Sequence, residues 1–199
     1  MPTRVDRYRA SEARYWRAEG TEPTETWANL RSTNLRVRAQ ITGTGPPVLF
    51  VHGGSTSGTG WAPLAARLPG FRCVLLDRPG CGLSDPVRRP MRSMASFEPF
   101  ADDLVADVLD ALDVDRAHLV ATSFGAYFAL RAAAAHPERV DRVLLLGFPI
   151  GADVQHTPLS MRLTATPGLE SLMTRMPVGE RMARSMLRQL GLGPALDAG

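Results

Sequence analysis

The stretch that decides the fold runs His118-Leu119-Val120-Ala121-Thr122-Ser123-Phe124-Gly125-Ala126-Tyr127. An apolar run leads directly into Ser123, which has a small residue two places before it and another two places after it. An alanine-rich run that favours a helix follows. The pattern predicts a nucleophile elbow, a sharp turn from strand to helix that lifts a hydroxyl clear of the sheet. A serine held there is placed to attack an acyl carbon.

Outward from the elbow, short apolar runs alternate with helical patterns between about residues 35 and 148. The predicted strands are residues 35–41, 48–51, 72–76, 119–121 and 140–146. The predicted helices are residues 4–18, 61–68, 97–112 and 124–135. In the first strand, Arg36, Arg38 and Gln40 alternate with apolar residues, which predicts a strand buried on one face only. The alternation as a whole predicts an α/β fold, a mostly parallel sheet with helices on both faces.

The pattern changes at both ends of this region. Residues 1–30 are predicted to form an N-terminal helical extension, and residues 31–150 an α/β core. Residues 151–199 contain several methionines and no strand pattern. They are predicted to form a helical cap or lid, whose methionines supply soft apolar packing.

Composition narrows the function classes. The chain has 199 residues and a formal net charge of +3, and its 23 basic residues are all arginine. No arginine stripe is interleaved with aromatic residues, so no nucleic acid partner is expected. No run is long enough to span a membrane, and the N-terminus lacks the apolar stretch of a signal peptide. The two cysteines do not suggest a disulfide framework, which predicts a cytoplasmic protein. They lack metal-type spacing and no nucleotide-binding motif occurs, so no metal and no cofactor are expected.

Two glycine-rich loops follow predicted strands. The first is Val51-His52-Gly53-Gly54-Ser55 and the second begins Asp77-Arg78-Pro79-Gly80-Cys81-Gly82. Glycines allow a backbone to approach a ligand and present an N–H group to it. His52 is predicted to orient the first loop by hydrogen bonds, and Asp77 to anchor the second through backbone N–H groups.

These loops and the elbow, in this order and each after a strand, resemble the α/β-hydrolase fold superfamily of the serine hydrolase type. The resemblance extends from the N-terminus to the start of the cap. It implies a hydrolase that acts on a small ester, amide or other acyl compound, with Ser123 as nucleophile and the N–H groups of Phe124 and Gly54 as the oxyanion hole. It also implies that His52, Gly53, Gly54 and Phe124 contact the substrate. Ala121 stands where the family usually has glycine.

The resemblance implies an acid and a histidine after the serine. His136, beside Pro137, is predicted to end a helix, and this leaves Asp153 and His156 as candidate acid and base. Because they are three residues apart in one loop, we expect them to reach Ser123 poorly.

The favoured hypothesis places the acid and the histidine beyond residue 199, so that the fold is incomplete and the chain by itself is inactive. The sheet then ends in an unpaired strand at residues 140–146, which predicts a homo-oligomer. The alternative is a non-catalytic ligand-binding module, a truncated pseudo-hydrolase that keeps the pocket without the triad.

Overall fold

The computed structural model describes residues 1–54, 56–87, 91, 93–147, 181 and 185. The chain divides into two compact units, Met1–Ile150 and Gly151–Gly199. The predicted lid falls in the second unit and, apart from two exposed helical residues at 181 and 185, lies outside the described residues.

The first unit contains a six-stranded sheet flanked by helices. Its strands are β1 (Thr24–Asn29), β2 (Arg36–Thr42), β3 (Pro47–Val51), β4 (Arg72–Leu76), β5 (Ala117–Thr122) and β6 (Val140–Leu146). Its helices are α1 (Arg4–Ala18), α2 (Ala62–Ala65), α3 (Met94–Ala111) and α4 (Phe124–Ala135), with short 3₁₀ turns at Gly58–Trp61 and Pro137–Arg139.

The order of strands across the sheet is β1-β2-β4-β3-β5-β6. Strand β2 is antiparallel to both of its neighbours, whereas β4, β3, β5 and β6 pair in parallel. The predicted α/β fold with a mostly parallel sheet is therefore confirmed. Parallel pairing brings the carboxyl ends of these four strands to one edge of the sheet, where ligands bind in open α/β folds.

Apolar side chains cover both faces of the sheet. On one face α3 and α4 pack through residues such as Leu104, Val108 and Phe128 against the strands. On the other face Trp16 of α1 joins Phe50, Leu75 and neighbouring residues in a second, smaller cluster. Because both faces of these strands are covered, their sequences are continuous apolar runs.

The prediction for residues 1–30 was wrong in one respect. Helix α1 occupies the start of that segment as expected, but Thr24–Asn29 forms the edge strand β1 rather than more helix. Four of its six residues are polar and its burial does not alternate, so its sequence carries no strand signal. A tight turn closed by the Leu30 N–H on the Leu35 carbonyl, at 2.8 Å, brings the strand against β2.

The polar face of β2 was also predicted incorrectly. Arg38 is fully buried and Gln40 is 7% exposed, although both were expected to face solvent. Helix α1 lies over this face, and both oxygens of the Glu12 carboxylate accept bonds from Arg38 Nη2, at 2.7 and 2.8 Å. The Thr59 hydroxyl donates to Glu12 and lies 2.8 Å from the side-chain oxygen of Gln40. A charged side chain can be buried here because its counter-charge arrives from a helix that is distant in sequence.

Other boundaries moved by a few residues. Helix α3 begins three residues earlier than predicted because Ser93 caps it, accepting a bond from the Ser96 N–H. The segment predicted as one helix at residues 61–68 is a 3₁₀ turn followed by the single α-helical turn of α2. Strand β6 has the predicted bounds and ends the described sheet, with Leu144 and Leu146 exposed. Homo-oligomerisation through this strand stays a prediction.

The buried pair between α1 and β2 sets a stability test. We expect Glu12→Gln to lower the free energy of unfolding by about 3–5 kcal/mol, because it leaves the Arg38 charge buried without its closest partner. The exposed pair between Arg67 and Glu19, at 2.9 Å, gives the control, and Glu19→Gln should cost less than about 1 kcal/mol. Urea unfolding of the three proteins measures both. Equal effects of the two substitutions would show that the buried pair does not hold α1 in place.

Candidate active site

Ser123 occupies the turn between β5 and α4. Its backbone lies at φ +49° and ψ −124°, in a region that residues with a side chain rarely adopt. Such a conformation costs about 1–3 kcal/mol and persists only where the surroundings enforce it. The side chain that results is exposed at the carboxyl edge of the sheet. The strained strand-to-helix turn predicted from the sequence is thus present in the backbone.

The turn depends on small residues on either side of the serine. A Cβ placed on Gly125 would lie 2.5 Å from the His52 carbonyl oxygen and closer still to that of Val51. Only glycine can therefore occupy this position, because helix α4 begins directly against the end of β3. Ala121 is fully buried in β5, so its single methyl group fits where the family usually has glycine.

The loop after β3 comes within contact distance of Ser123. A Cβ built on Gly53 would lie 3.0 Å from the Cβ of Ser123 and 3.6 Å from its hydroxyl oxygen. Nothing lies within 4 Å of the same position on Gly54. The structure thus brings Gly53 and Ser123 together, with Phe124 following Ser123 as the first residue of α4. The first amides of a helix have no partner within the helix itself, so the N–H group of Phe124 is available to other acceptors.

A hydrogen bond fixes the elbow to the next strand. The Thr122 hydroxyl donates to the Leu146 carbonyl oxygen at 2.5 Å, at the point where β5 and β6 end in register. The sequence signalled Ser123 but gave no role to Thr122. This bond holds the strand end from which the serine projects.

The ring of His52 is buried and fully engaged. Its Nε2 accepts the backbone N–H of Arg78 at 3.1 Å, so the ring proton must lie on Nδ1, which donates to the Gly53 carbonyl at 2.8 Å. Burial, and next the nearby positive charge of Arg78, lower the pKa of His52 to about 4. The imidazole is therefore neutral at pH 7. As predicted, His52 orients its loop by hydrogen bonds.

Asp77 organises the loop after β4. Its carboxylate accepts the Gly58 N–H at 2.8 Å and the Leu83 N–H at 3.0 Å, as the sequence predicted. The Ser84 hydroxyl donates to the Asp77 carbonyl at 2.7 Å, and Gly82 has no space for a side chain beside the carboxylate. Burial raises the pKa of Asp77, while Arg38 at 3.6 Å and these two N–H groups act against that rise.

An aromatic cluster that the sequence analysis missed lies beside the serine. It consists of Phe97 and Phe100 of α3 with Phe124, Tyr127 and Phe128 of α4, and is called the aromatic cluster below. The rings of Phe97 and Phe124 stack with centroids 5.8 Å apart. Phe124 is 44% exposed, so an apolar surface is open to solvent next to Ser123. The i, i+3 and i, i+4 spacing of these residues on their helices was the signal for it.

Two further histidines are held away from Ser123. His136 ends α4, which is 12 residues or about 18 Å long, and its Nε2 lies 3.0 Å from the Asp103 carboxylate. The prediction that His136 ends a helix is confirmed. His118 lies at the opposite end of β5 from the serine and lines an apolar groove with Phe71 and Leu144. Asp153 and His156, the candidate acid and base, lie outside the described residues.

Residues 46–177 match the family model of the alpha/beta hydrolase fold. The match covers most of the chain and includes both glycine loops and the elbow. The chain belongs to the α/β hydrolase fold family.

Relatives within this family have names that describe hydrolases. A 2-hydroxy-6-oxononadienedioate/2-hydroxy-6-oxononatrienedioate hydrolase of Burkholderia vietnamiensis is 34% identical over 171 residues, 79% of this chain and 58% of the relative. A 2-hydroxy-6-oxo-6-phenylhexa-2,4-dienoate hydrolase of Burkholderia cepacia is 33% identical over 155 residues, 70% of this chain and 52% of the relative. The chain thus spans little more than half the length of these curated relatives.

Solved structures show the same fold. The carboxylesterase CesB of Bacillus subtilis superimposes with a TM-score of 0.59 at 25% identity, over 71% of this chain and 49% of that one. The naproxen esterase of the same organism gives a TM-score of 0.63 over 91% of this chain and 64% of its own, and its 18% identity supports the fold alone.

Within the described part of the α/β hydrolase chain, no group of three or more His, Cys, Asp or Glu residues could hold a metal ion. No described helix is both long and apolar enough to cross a membrane. The predictions of no cofactor, no nucleic acid partner and a cytoplasmic location stay predictions.

The elbow gives a prediction about packing. We expect Gly125→Ala to lower the free energy of unfolding by about 2–4 kcal/mol, because the added methyl group meets two backbone carbonyls that cannot move apart. Gly60 has nothing within 4 Å of its Cβ position, so Gly60→Ala is the matched control and should change stability by less than about 1 kcal/mol. Thermal and urea unfolding measure both. A tolerated alanine at 125 would mean that α4 starts farther from β3.

His52 gives a prediction about pH. In the unfolded chain His52 is protonated below about pH 6.5, whereas in the folded protein its pKa is about 4. The unfolded state therefore binds more protons between these pH values, and the free energy of unfolding falls as the pH is lowered through this window. Between about pH 7.5 and about pH 5, wild type should lose about 2 kcal/mol more than His52→Gln. Urea unfolding at the two pH values measures the difference, to which groups shared by both proteins contribute equally. Parallel losses would show that folding does not lower the pKa of His52.

Proposed function

We propose that this chain provides the nucleophile and the oxyanion hole of a serine hydrolase that acts on a small ester, amide or other acyl compound. The observation that carries the proposal is Ser123 itself. A strained serine at φ +49° is exposed at the carboxyl edge of the sheet, against the glycine loop after β3. Strain of this kind is stored at functional sites more than elsewhere.

The proposed reaction has two steps. The Ser123 oxygen attacks the carbonyl carbon of the substrate, the bond to the leaving group breaks, and the serine proton passes to the leaving group. Water then attacks the acyl-enzyme, releasing the acid and restoring the hydroxyl. The N–H groups of Phe124 and Gly54 are proposed to stabilise the oxyanion in both steps, an interaction worth about 3 kcal/mol for each donor.

The aromatic cluster supports an apolar acyl group. Because Phe124 follows the nucleophile directly and is 44% exposed, an acyl chain attached to Ser123 lies beside an aromatic wall. The relatives' names describe 6-oxo acids, one of which carries a phenyl group on the oxo carbon. Hydrolysis at a ketone of this type would break a carbon–carbon bond. We include such ketones, with esters and amides, in the proposed substrate class, with His52, Gly53, Gly54 and Phe124 as the substrate-contacting residues.

The proposal has three versions, which differ in where the general base comes from. His52 is neutral with both ring nitrogens engaged, and the other described histidines lie far from Ser123. Either His156, oriented by Asp153, serves as base, or the base lies outside this sequence, or the chain is a binding module without catalysis. None of the described histidines is placed to act as the general base.

Mass spectrometry of the chain with p-nitrophenyl butyrate tests the proposal. We expect a single added acyl group that maps to Ser123, because a prepared nucleophile without a strong base acylates slowly and deacylates more slowly still. Ser123→Ala should abolish the modification. Ser11 is an exposed serine in α1, so Ser11→Ala should leave it unchanged.

Adding imidazole to the solution as an external base tests whether the chain supplies a general base of its own. If the described residues lack one, imidazole should speed the acylation of wild type but not that of Ser123→Ala. Rapid turnover without imidazole that His156→Gln abolishes would assign the base to His156. Reversible binding of the ester without any acylation at Ser123 would favour the ligand-binding module and contradict the hydrolase proposal.

A further inference from the structure

Arg78 is a buried charged residue beside the proposed oxyanion hole to which no role has been given. It is 6% exposed and follows the carboxyl end of β4. Its backbone N–H donates to His52 Nε2 at 3.1 Å, its Nε donates to the His52 carbonyl at 2.8 Å, and its Nη2 donates to the Gly53 carbonyl at 2.6 Å. Three hydrogen bonds from one residue thus hold the two residues that precede Gly54.

The same guanidinium also contacts the other side of the site. Its central carbon lies 5.2 Å from the ring centroid of Phe124 and 5.4 Å from that of Phe128. At these distances a cation is attracted to the face of an aromatic ring. Arg78 is therefore the described side chain that joins the loop after β3 to the first turn of α4.

The loop that carries Arg78 is itself held in place. Asp77 binds the loop at two points, Leu83 and Ser84, and ties it to the 3₁₀ turn through Gly58. The Cys81 N–H donates to the Arg78 carbonyl at 2.9 Å. A guanidinium is planar and presents several donors in a fixed fork, so its two bonds set the distance between two neighbouring carbonyls. A lysine ammonium in the same place cannot reproduce this geometry.

We propose that Arg78 is a positioning residue that sets the gap between the Gly54 and Phe124 amides by clamping the His52–Gly53 backbone and the Phe124 ring to one rigid group. The assignment of an oxyanion hole to that gap rests on the proposed function. The clamp itself does not, and it can be tested without any reaction.

Arg139 provides a matched control. Its Nε donates to the Asp115 carbonyl at 2.6 Å and its Nη2 donates to the Val114 carbonyl at 3.0 Å. This arginine also clamps the carbonyls of two neighbouring residues, but it does so before β5, at the opposite edge of the sheet from Ser123. Arg139→Lys thus removes the same interaction away from the site.

Backbone amide NMR spectra test the clamp directly. We expect Arg78→Lys to shift, broaden or double the signals of Gly53, Gly54 and Phe124 while the amides of α3 stay as in wild type. Arg139→Lys should leave the three signals unchanged. Arg78→Met keeps the apolar stem and needs no buried partner, so it should give the same result if the lysine variant does not fold. Unchanged signals in a folded Arg78 variant would overturn the proposal.

Acyl transfer to Ser123 tests the consequence for the oxyanion hole. In Arg78→Lys we expect the acylation rate with a p-nitrophenyl ester to fall about 100-fold, whereas in Arg139→Lys it should stay within about twofold of wild type. The ratio of the ester rate to that of the matched thionoester, whose larger sulphur fits poorly between donors placed for oxygen, should fall about tenfold. An unfolded fraction lowers both rates equally and leaves this ratio unchanged.

The two measurements separate the two claims. Altered Gly54 and Phe124 signals with no acylation of wild type would support the clamp and contradict the hydrolase. Acylation of wild type that Arg78→Lys leaves at the same rate and the same ester-to-thionoester ratio would overturn the role of Arg78 in the oxyanion hole, whatever its effect on stability.

Discussion

The close approach of helix α4 to the end of strand β3 is the constraint on which the rest of the site depends. Gly125 leaves no space for a methyl group between the helix and the Val51 and His52 carbonyls. A helix that begins so close to a neighbouring strand must be entered through a sharp turn, and Ser123 takes the unfavourable backbone conformation that this turn demands. The exposure of the serine follows from the turn, because a regular strand end would direct the side chain onto one face of the sheet.

Buried polar side chains around the turn hold the neighbouring loops in place by hydrogen bonds. His52 is neutral because burial, and next the positive charge of Arg78, lower its pKa to about 4. One ring nitrogen accepts the Arg78 backbone N–H and the other donates to the Gly53 carbonyl. Asp77 binds amides from two separate segments and so keeps the second glycine loop against the 3₁₀ turn that follows the first. Each of these side chains acts on backbone groups. The proposed chemistry at the site therefore depends on residues that would touch no reacting atom.

The sequence predicted those parts of the fold whose signals are local. Strands β3, β4 and β6 are short apolar runs, and the elbow serine stands out because small residues flank it at fixed distances. Strand β1 was not predicted because its own composition does not favour a strand. It forms because it pairs with β2. The burial of Arg38 and Arg78 was not predicted for a related reason. A buried arginine is recognised only by its partners, here Glu12, 26 residues away, and two carbonyls about as distant in sequence.

The burial of Arg38 also joins the N-terminal helix to the site. Glu12 of α1 binds Arg38, Arg38 lies 3.6 Å from the Asp77 carboxylate, and Asp77 is followed by Arg78. A continuous series of polar contacts thus runs from the first turns of the chain to the glycine loop beside Ser123. Any redesign that shortens the N-terminus past Glu12 would remove the counter-charge at the start of this series. Helix α1 is for this reason an integral part of the scaffold of the candidate site, and a minimal version of the domain has to retain it.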